Sequence, residues 1–222
     1  MRLLTVTLFL GLVASPVMAQ GTIVGTKHDF KNETWNVKTG EVCAACHIPH
    51  VEGRPAARTV ETHLWGRQLS TVTYTMYTST SLDGTVDAQP TGTTRLCLGC
   101  HDGSVDLELF HTTTTGTTKI AAAAVVPGKN AGTDFNSDHP VSITYNDGAG
   151  GDPGLRTKAT AFGGVIAGQT IADILEGGTK VACMSCHDPH NVEVPTGAAK
   201  FLRIKNDDPA SPSALCLACH IK

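Results

Sequence analysis

Cys43-Ala44-Ala45-Cys46-His47, Cys97-Leu98-Gly99-Cys100-His101, Cys183-Met184-Ser185-Cys186-His187 and Cys216-Leu217-Ala218-Cys219-His220 repeat one pattern: two cysteines three positions apart, with histidine directly after. The four copies use all eight cysteines of the 222-residue chain. At this cysteine and histidine content, chance supplies roughly 0.01 such pentapeptides. Cys-x-x-Cys-His is the attachment pattern of c-type haem. Each thiol forms a thioether to one edge of the porphyrin, and the adjacent imidazole binds iron from one face. Zinc binds paired Cys-x-x-Cys motifs but does not require a histidine after every pair. A thioredoxin-like motif occurs once, beside a βαβ pattern that this sequence lacks. Disulfides would not impose the shared spacing. The expected cofactors are four covalently attached haem c groups.

Composition agrees with a core built around cofactors. Hydrophobic residues make up 41%, charged residues 17% and aromatics only 5%. Such a chain is too apolar for a disordered tail and too poor in large rings for an ordinary core. The expected fold is a mostly irregular, haem-cored multihaem cytochrome with short helices and few strands. The net charge of −3 excludes the basic surface that nucleic-acid binding needs. Loss of Arg2 with the signal segment leaves −4, and two propionates on each of four haems move the charge to roughly −12.

Residues 1–19, MRLLTVTLFLGLVASPVMA, carry one charge at Arg2, an apolar run from Leu3 to Ala14 and small residues before Gln20. This is the layout of a secretory signal peptide cut after Ala19. The apolar run is too short to span a bilayer, and no later run reaches that length. The expected location is periplasmic or extracellular, at the cell surface, with no membrane span after cleavage.

The motifs alternate. The first and third extend to CAACHIPH and CMSCHDPH, whereas the second and fourth read LCLGCH and LCLACH. A lone histidine precedes each long motif, His28 in TKHDF and His139 in SDHPV. The order His, CxxCHxPH, LCLxCH therefore occurs twice, marking a duplicated two-haem unit with halves 20–126 and 127–222 in one continuous haem-cored domain. Four histidines, His47, His101, His187 and His220, are proximal iron ligands. Four more, His28, His50, His139 and His190, occupy matched places and are the distal candidates. His63 and His111 break the pattern, and Met76 is the one thioether alternative. His50 and His190 follow their own attachment histidines by only three residues, and Pro49 and Pro189 turn the chain. Neither can reach the far face of its own haem, so each is expected to strap across to another.

Elsewhere the sequence suggests a helical turn at Ile171–Glu176 and a strand or an exposed loop at Thr71–Thr80. Asp147 and Asp152 lie in a glycine-rich loop that fits no calcium motif. Trp35 and Trp65 are expected to pack on haem or in the core. Arg54, Arg67, Arg95 and Arg203 are candidates to pair with propionates.

The segments GTKHDF, CAACHIPH, HLWGR, RLCLGCHDG, SDHPVSITY, CMSCHDPHN and LCLACH together resemble bacterial multihaem cytochromes with doubled CxxCH motifs, across nearly the whole mature chain. In haem count and size the chain is also similar to the four-haem outer-surface cytochromes that polymerise into conductive filaments. That resemblance implies bis-histidine haems and a homopolymer in which one distal histidine, His50 or His28 here, comes from a neighbouring subunit. It also implies other redox proteins or extracellular acceptors as partners. The histidine in HLWGR departs from the usual pattern. The expected function is single-electron transfer along closely packed bis-histidine haems, not enzymatic catalysis. The alternative is a multihaem reductase, which needs one open iron and usually a basic cluster for an oxyanion. Intact mass of the purified protein should show a chain beginning at Gln20 with four haems; two haems, or a retained Met1, would refute this reading.

Overall fold

The structure, a computed structural model, describes residues 23–48, 64–126, 132–147, 150–163, 166–190, 201–206 and 209–221. The expected signal segment, His50 and His63 lie outside the described residues. Regular structure is sparse. Four α-helices, α1 (Gly92–His101), α2 (Ile171–Ile174), α3 (Cys183–Cys186) and α4 (Ala214–Cys219), accompany two strands, β1 (Ile143–Thr144) and β2 (Lys180–Val181). The strands pair antiparallel, with Ile143 opposite Val181 and Thr144 opposite Lys180. The alternating stretch 71–80 does not become a strand. It runs extended, with a bridge from Thr75 to Asp134, and the Gln89 side chain pairs with both the backbone N–H and the carbonyl of Tyr74 at 2.9 Å. Its alternation has a different use: Tyr74 turns inward while Thr73 and Thr75 face out.

Three of the helices carry attachment motifs, and the first motif, at Cys43, forms a turn. α1 is the longest because it is held from both sides. The Glu176 carboxylate accepts from the Thr93 hydroxyl at 2.7 Å and from its backbone N–H at 3.3 Å, capping the helix start. At its other end Gly99 lies against the backbone of Gln68, whose carbonyl oxygen would sit 2.9 Å from an added Cβ. This close approach explains why the second motif reads LCLGCH where the fourth reads LCLACH.

The apolar interior is divided. Tyr145, Phe162, Ile166, Ile171, Ile174 and Leu175 form one cluster in the second half. Trp35, Ala45, Leu107 and Phe110 form another in the first. Tyr74, Leu98 and Phe135 form a third. Attachment cysteines flank two of them, Cys219 the first cluster and Cys100 the second.

The halves are bonded to one another. Fully buried Thr94 of α1 accepts from the Cys183 backbone N–H at the start of α3, at 3.2 Å. Lys180 pairs with Asp87 at 2.7 Å, and the Thr91 N–H donates to Ser142 Oγ at 3.0 Å. The second and third motifs thus meet at the junction of the two halves.

Ile171 has no exposed surface at the centre of the largest cluster. Ile171→Ala should cost about 2–5 kcal/mol of stability, read as a lowered denaturation midpoint. Val37→Ala at an exposed position should stay within about 0.5 kcal/mol.

Candidate metal centres

Each attachment motif closes on itself through one helical turn. The N–H of His47 donates to the Cys43 carbonyl at 2.9 Å, that of His187 to Cys183 at 3.0 Å, and that of His220 to Cys216 at 2.9 Å. Residues three and four apart on a helical turn share a face. Two sulfurs and one imidazole are therefore presented together, and the second motif is embedded in α1.

The histidines meet in pairs. His28 and His101 have ring centroids 6.0 Å apart. His47 and His190 are also 6.0 Å apart, and His139 and His220 are 6.2 Å apart. In every pair an attachment histidine faces one of the matched non-attachment histidines. An imidazole nitrogen lies about 2 Å from a first-row metal, so one ion bonded to two opposed imidazoles separates their centroids by about 6 Å. The angle between the planes is 58°, 30° and 71° respectively. Such variation is permitted because each ring can turn about its own metal–nitrogen bond. His28 and His139 face the leucine-flanked motif of their own half, whereas His190 crosses to the first motif of the other half. His187, the remaining attachment histidine, lies close enough to His28 to act on its charge.

The paired rings have suitable outer contacts. His101 Nδ1 is 2.8 Å from the Ala124 carbonyl, and His139 Nδ1 is 3.1 Å from that of Pro140. A ring that donates Nδ1–H to a carbonyl keeps Nε2 bare for a metal. His190 Nδ1 stands 4.0 Å from the Asp188 carboxylate, which has the same effect at longer range. His111 lies elsewhere, with Nδ1 3.3 Å from Thr112 Oγ1. Burial pushes the His28 imidazole down to about 4, helped by the charges of His101, His190 and His187 nearby. Desolvation also lowers His139, with His220 adding to the effect. These rings are held neutral, the form that ligates.

The cysteines fit attachment better than thiolate chemistry. Burial pushes the Cys46 thiol up to about 12 and that of Cys186 to about 11, and raises Cys100 and Cys219. A thioether carries no charge and suits such surroundings. The sulfurs of successive motifs are neighbours: Cys46 senses Cys100, Cys97 hydrogen-bonds Cys183, and Cys186 senses Cys219 and Cys216. Among the described residues no group of three or more His, Cys, Asp or Glu gathers as a metal site. The donors come in facing twos, as befits a metal whose equatorial ligands come from a macrocycle.

Two short segments, absent from the motif reading, complete the first and third sites. Trp65 bridges His47, and Leu202 bridges His187. The residue before each bridge partner, Leu64 or Phe201, has a left-handed backbone with φ of 54° and 53°. An arginine follows each: Arg67 donates to the Ala45 carbonyl at 2.8 Å, and Arg203 Nε to the Met184 carbonyl at 2.7 Å. Both reach inside a Cys-x-x-Cys loop, although Arg203 stands in the register of Gly66, one residue short of Arg67. Phe201 also stacks on His28 at 4.6 Å. LWGR and FLR at matched places in the repeat were the available signal for this device. Arg95 is exposed on α1, and Arg54 lies outside the described residues.

Among the described residues no helix is long and apolar enough to cross a membrane. No protein-family model and no curated protein matches the chain.

The His28 shift has a definite sign. Its folded value near 4 is below the ordinary 6.5, so between these pH values only the unfolded chain takes up the proton. The stabilisation is complete above pH 6.5 and is lost as pH falls towards 4. Denaturation midpoints at pH 7 and 4.5 should therefore differ more for the native chain than for His28→Phe, and equal differences would contradict the burial of this ring.

Proposed function

We propose that this chain is an exported tetrahaem c-type cytochrome that moves single electrons between its haems and external partners, and is not an enzyme. The observation that carries the reading is the set of three imidazole pairs at 6.0–6.2 Å, each joining an attachment histidine to a matched histidine. The cofactor, when bound, supplies the one-electron chemistry.

The chain's own residues do the rest. Cys43 and Cys46, Cys97 and Cys100, Cys183 and Cys186, and Cys216 and Cys219 hold the four groups by their edges. His47 with His190, His101 with His28, and His220 with His139 would each hold one iron between two imidazoles. His187 has one matched histidine left in the sequence, His50, given by the same chain or by a neighbouring copy. His28 already faces His101 of its own chain, so of the two candidates for exchange between subunits His50 is the one that remains. The neighbouring sulfurs support an order in space that follows the order in sequence. His190 ties the third motif to the first, which favours close, fixed spacing between groups rather than four independent sites. Two imidazoles per iron favour low potentials and leave no vacant position for a substrate.

Carbon monoxide tests the reading directly. Reduced holoprotein should not bind it, because no iron is open. Binding at one centre in both assembled and dissociated protein, together with oxyanion turnover, would favour a reductase. His190→Ala should make the Cys43–Cys46 centre high-spin while the Cys183–Cys186 group stays attached. A high-spin centre on Cys183–Cys186 would overturn the crossing strap.

A further inference from the structure

Arg67 is a buried cation without a counter-ion among the described residues. Its side chain is almost fully enclosed, at 2% exposure. Nη1 donates to the Ala45 carbonyl at 2.8 Å and Nη2 to the Leu107 carbonyl at 3.0 Å, while Nε finds no partner. The guanidinium lies over the rings of Phe110 and Trp35, 5.4 and 5.9 Å from their centroids, and hydrogen-bonds the Cys100 thiol. Carbonyls and ring faces spread its charge but do not cancel it. Among the described residues no carboxylate pairs with it.

The third motif is arranged differently. Arg203, which reaches into that loop, is paired with Asp188 at 3.0 Å. Asp188 directly follows His187, and the equivalent residue after His47 is Ile48, which is buried and apolar. Around the second motif the sign is reversed. Asp102, directly after His101, is buried and accepts from Tyr74 Oη at 2.6 Å, Ser104 N at 2.7 Å and Ser104 Oγ at 2.9 Å. The second centre thus has an anion close by to set against Arg67, and the third has a neutralised pair. At the fourth, Arg156 donates to the Leu217 carbonyl at 2.9 Å but is exposed, so solvent screens its charge. Among the described residues only the first centre has an enclosed, unpaired cation.

Resting on the tetrahaem reading above, we propose that Arg67 sets the redox asymmetry of the chain, making the Cys43–Cys46 centre the most positive of the four. One-electron reduction removes one unit of positive charge from that centre, taking the electron from an external donor and requiring no proton or bond change at Arg67. A fixed cation in a poorly polarisable interior favours the state with less positive charge. Electrons in transit therefore come to rest at the first motif, and the chain has a direction.

The test is a mediated redox titration of purified holoprotein, with haem count checked by intact mass. Arg67→Gln should lower the most positive of the four midpoints by at least a tenfold change in the reduction equilibrium, about 59 mV for one electron. Arg67→Lys, which keeps the charge, should hold that equilibrium within threefold. Ile48→Asp, which supplies the carboxylate present at the third motif, should lower it as Arg67→Gln does. An unchanged titration in whichever charge-altering variant retains four haems would overturn the proposal. So would equal shifts in Arg67→Gln and Arg67→Lys, which would mark a structural role. A native protein without four haems would instead defeat the tetrahaem reading on which the proposal rests.

Discussion

The bond from a histidine N–H back to the carbonyl of the first cysteine, four residues earlier, is the constraint on which the other features depend. It is about 3 Å long at the first, third and fourth motifs and turns five residues into one rigid unit. Without it, two sulfurs and an imidazole would be three independent side chains, and ordering each would cost conformational entropy. With it, they face one way. The surrounding chain then needs only to bring a second imidazole to about 6 Å, and it does so three times by different routes.

Those routes divide the work of the two halves. His28 and His139 come from upstream and serve the second motif of their own half, so each half contains one self-sufficient site. His190 leaves its half, and the Cys97–Cys183 contact lies at the same junction. Local pairs preserve each unit, while exchanged groups keep the units together. Buried Thr94, the Glu176 cap on α1 and the Lys180–Asp87 pair reinforce that junction with ordinary hydrogen bonds and charge.

The Cys-x-x-Cys-His repeats and the matched histidines were legible because residue type and spacing recur together, and three of the matched histidines do face histidines of those repeats. Sparse regular structure was legible from the few aromatics. The 71–80 stretch read as strand or loop because alternation records inward and outward facing, which an extended segment without strand neighbours shares with a sheet. Arg67 and Arg203 were visible only as cations. Their donation into the Cys-x-x-Cys loops depends on the left-handed turns at Leu64 and Phe201, positions whose side chains give no hint of positive φ. Asp102 likewise reads as a surface residue after His101, until Tyr74 folds over it from 28 positions away.

The halves differ greatly in connection length. His28 stands 15 residues before Cys43, whereas His139 stands 44 before Cys183, and the longer stretch contains β1, α2 and β2. Closing a longer loop costs only about 0.6 kcal/mol per doubling, so such growth weighs little against a bond to a metal. If the halves arose by duplication, the intervals between clamps were free to lengthen, acquire small clusters of their own and diverge. On the proposed tetrahaem reading the ring-to-ring spans could not follow, because a shared iron would fix them. Descent in such a chain is recorded in a few short intervals in space, and kinship among proteins of this kind is better measured between imidazoles than along the alignment.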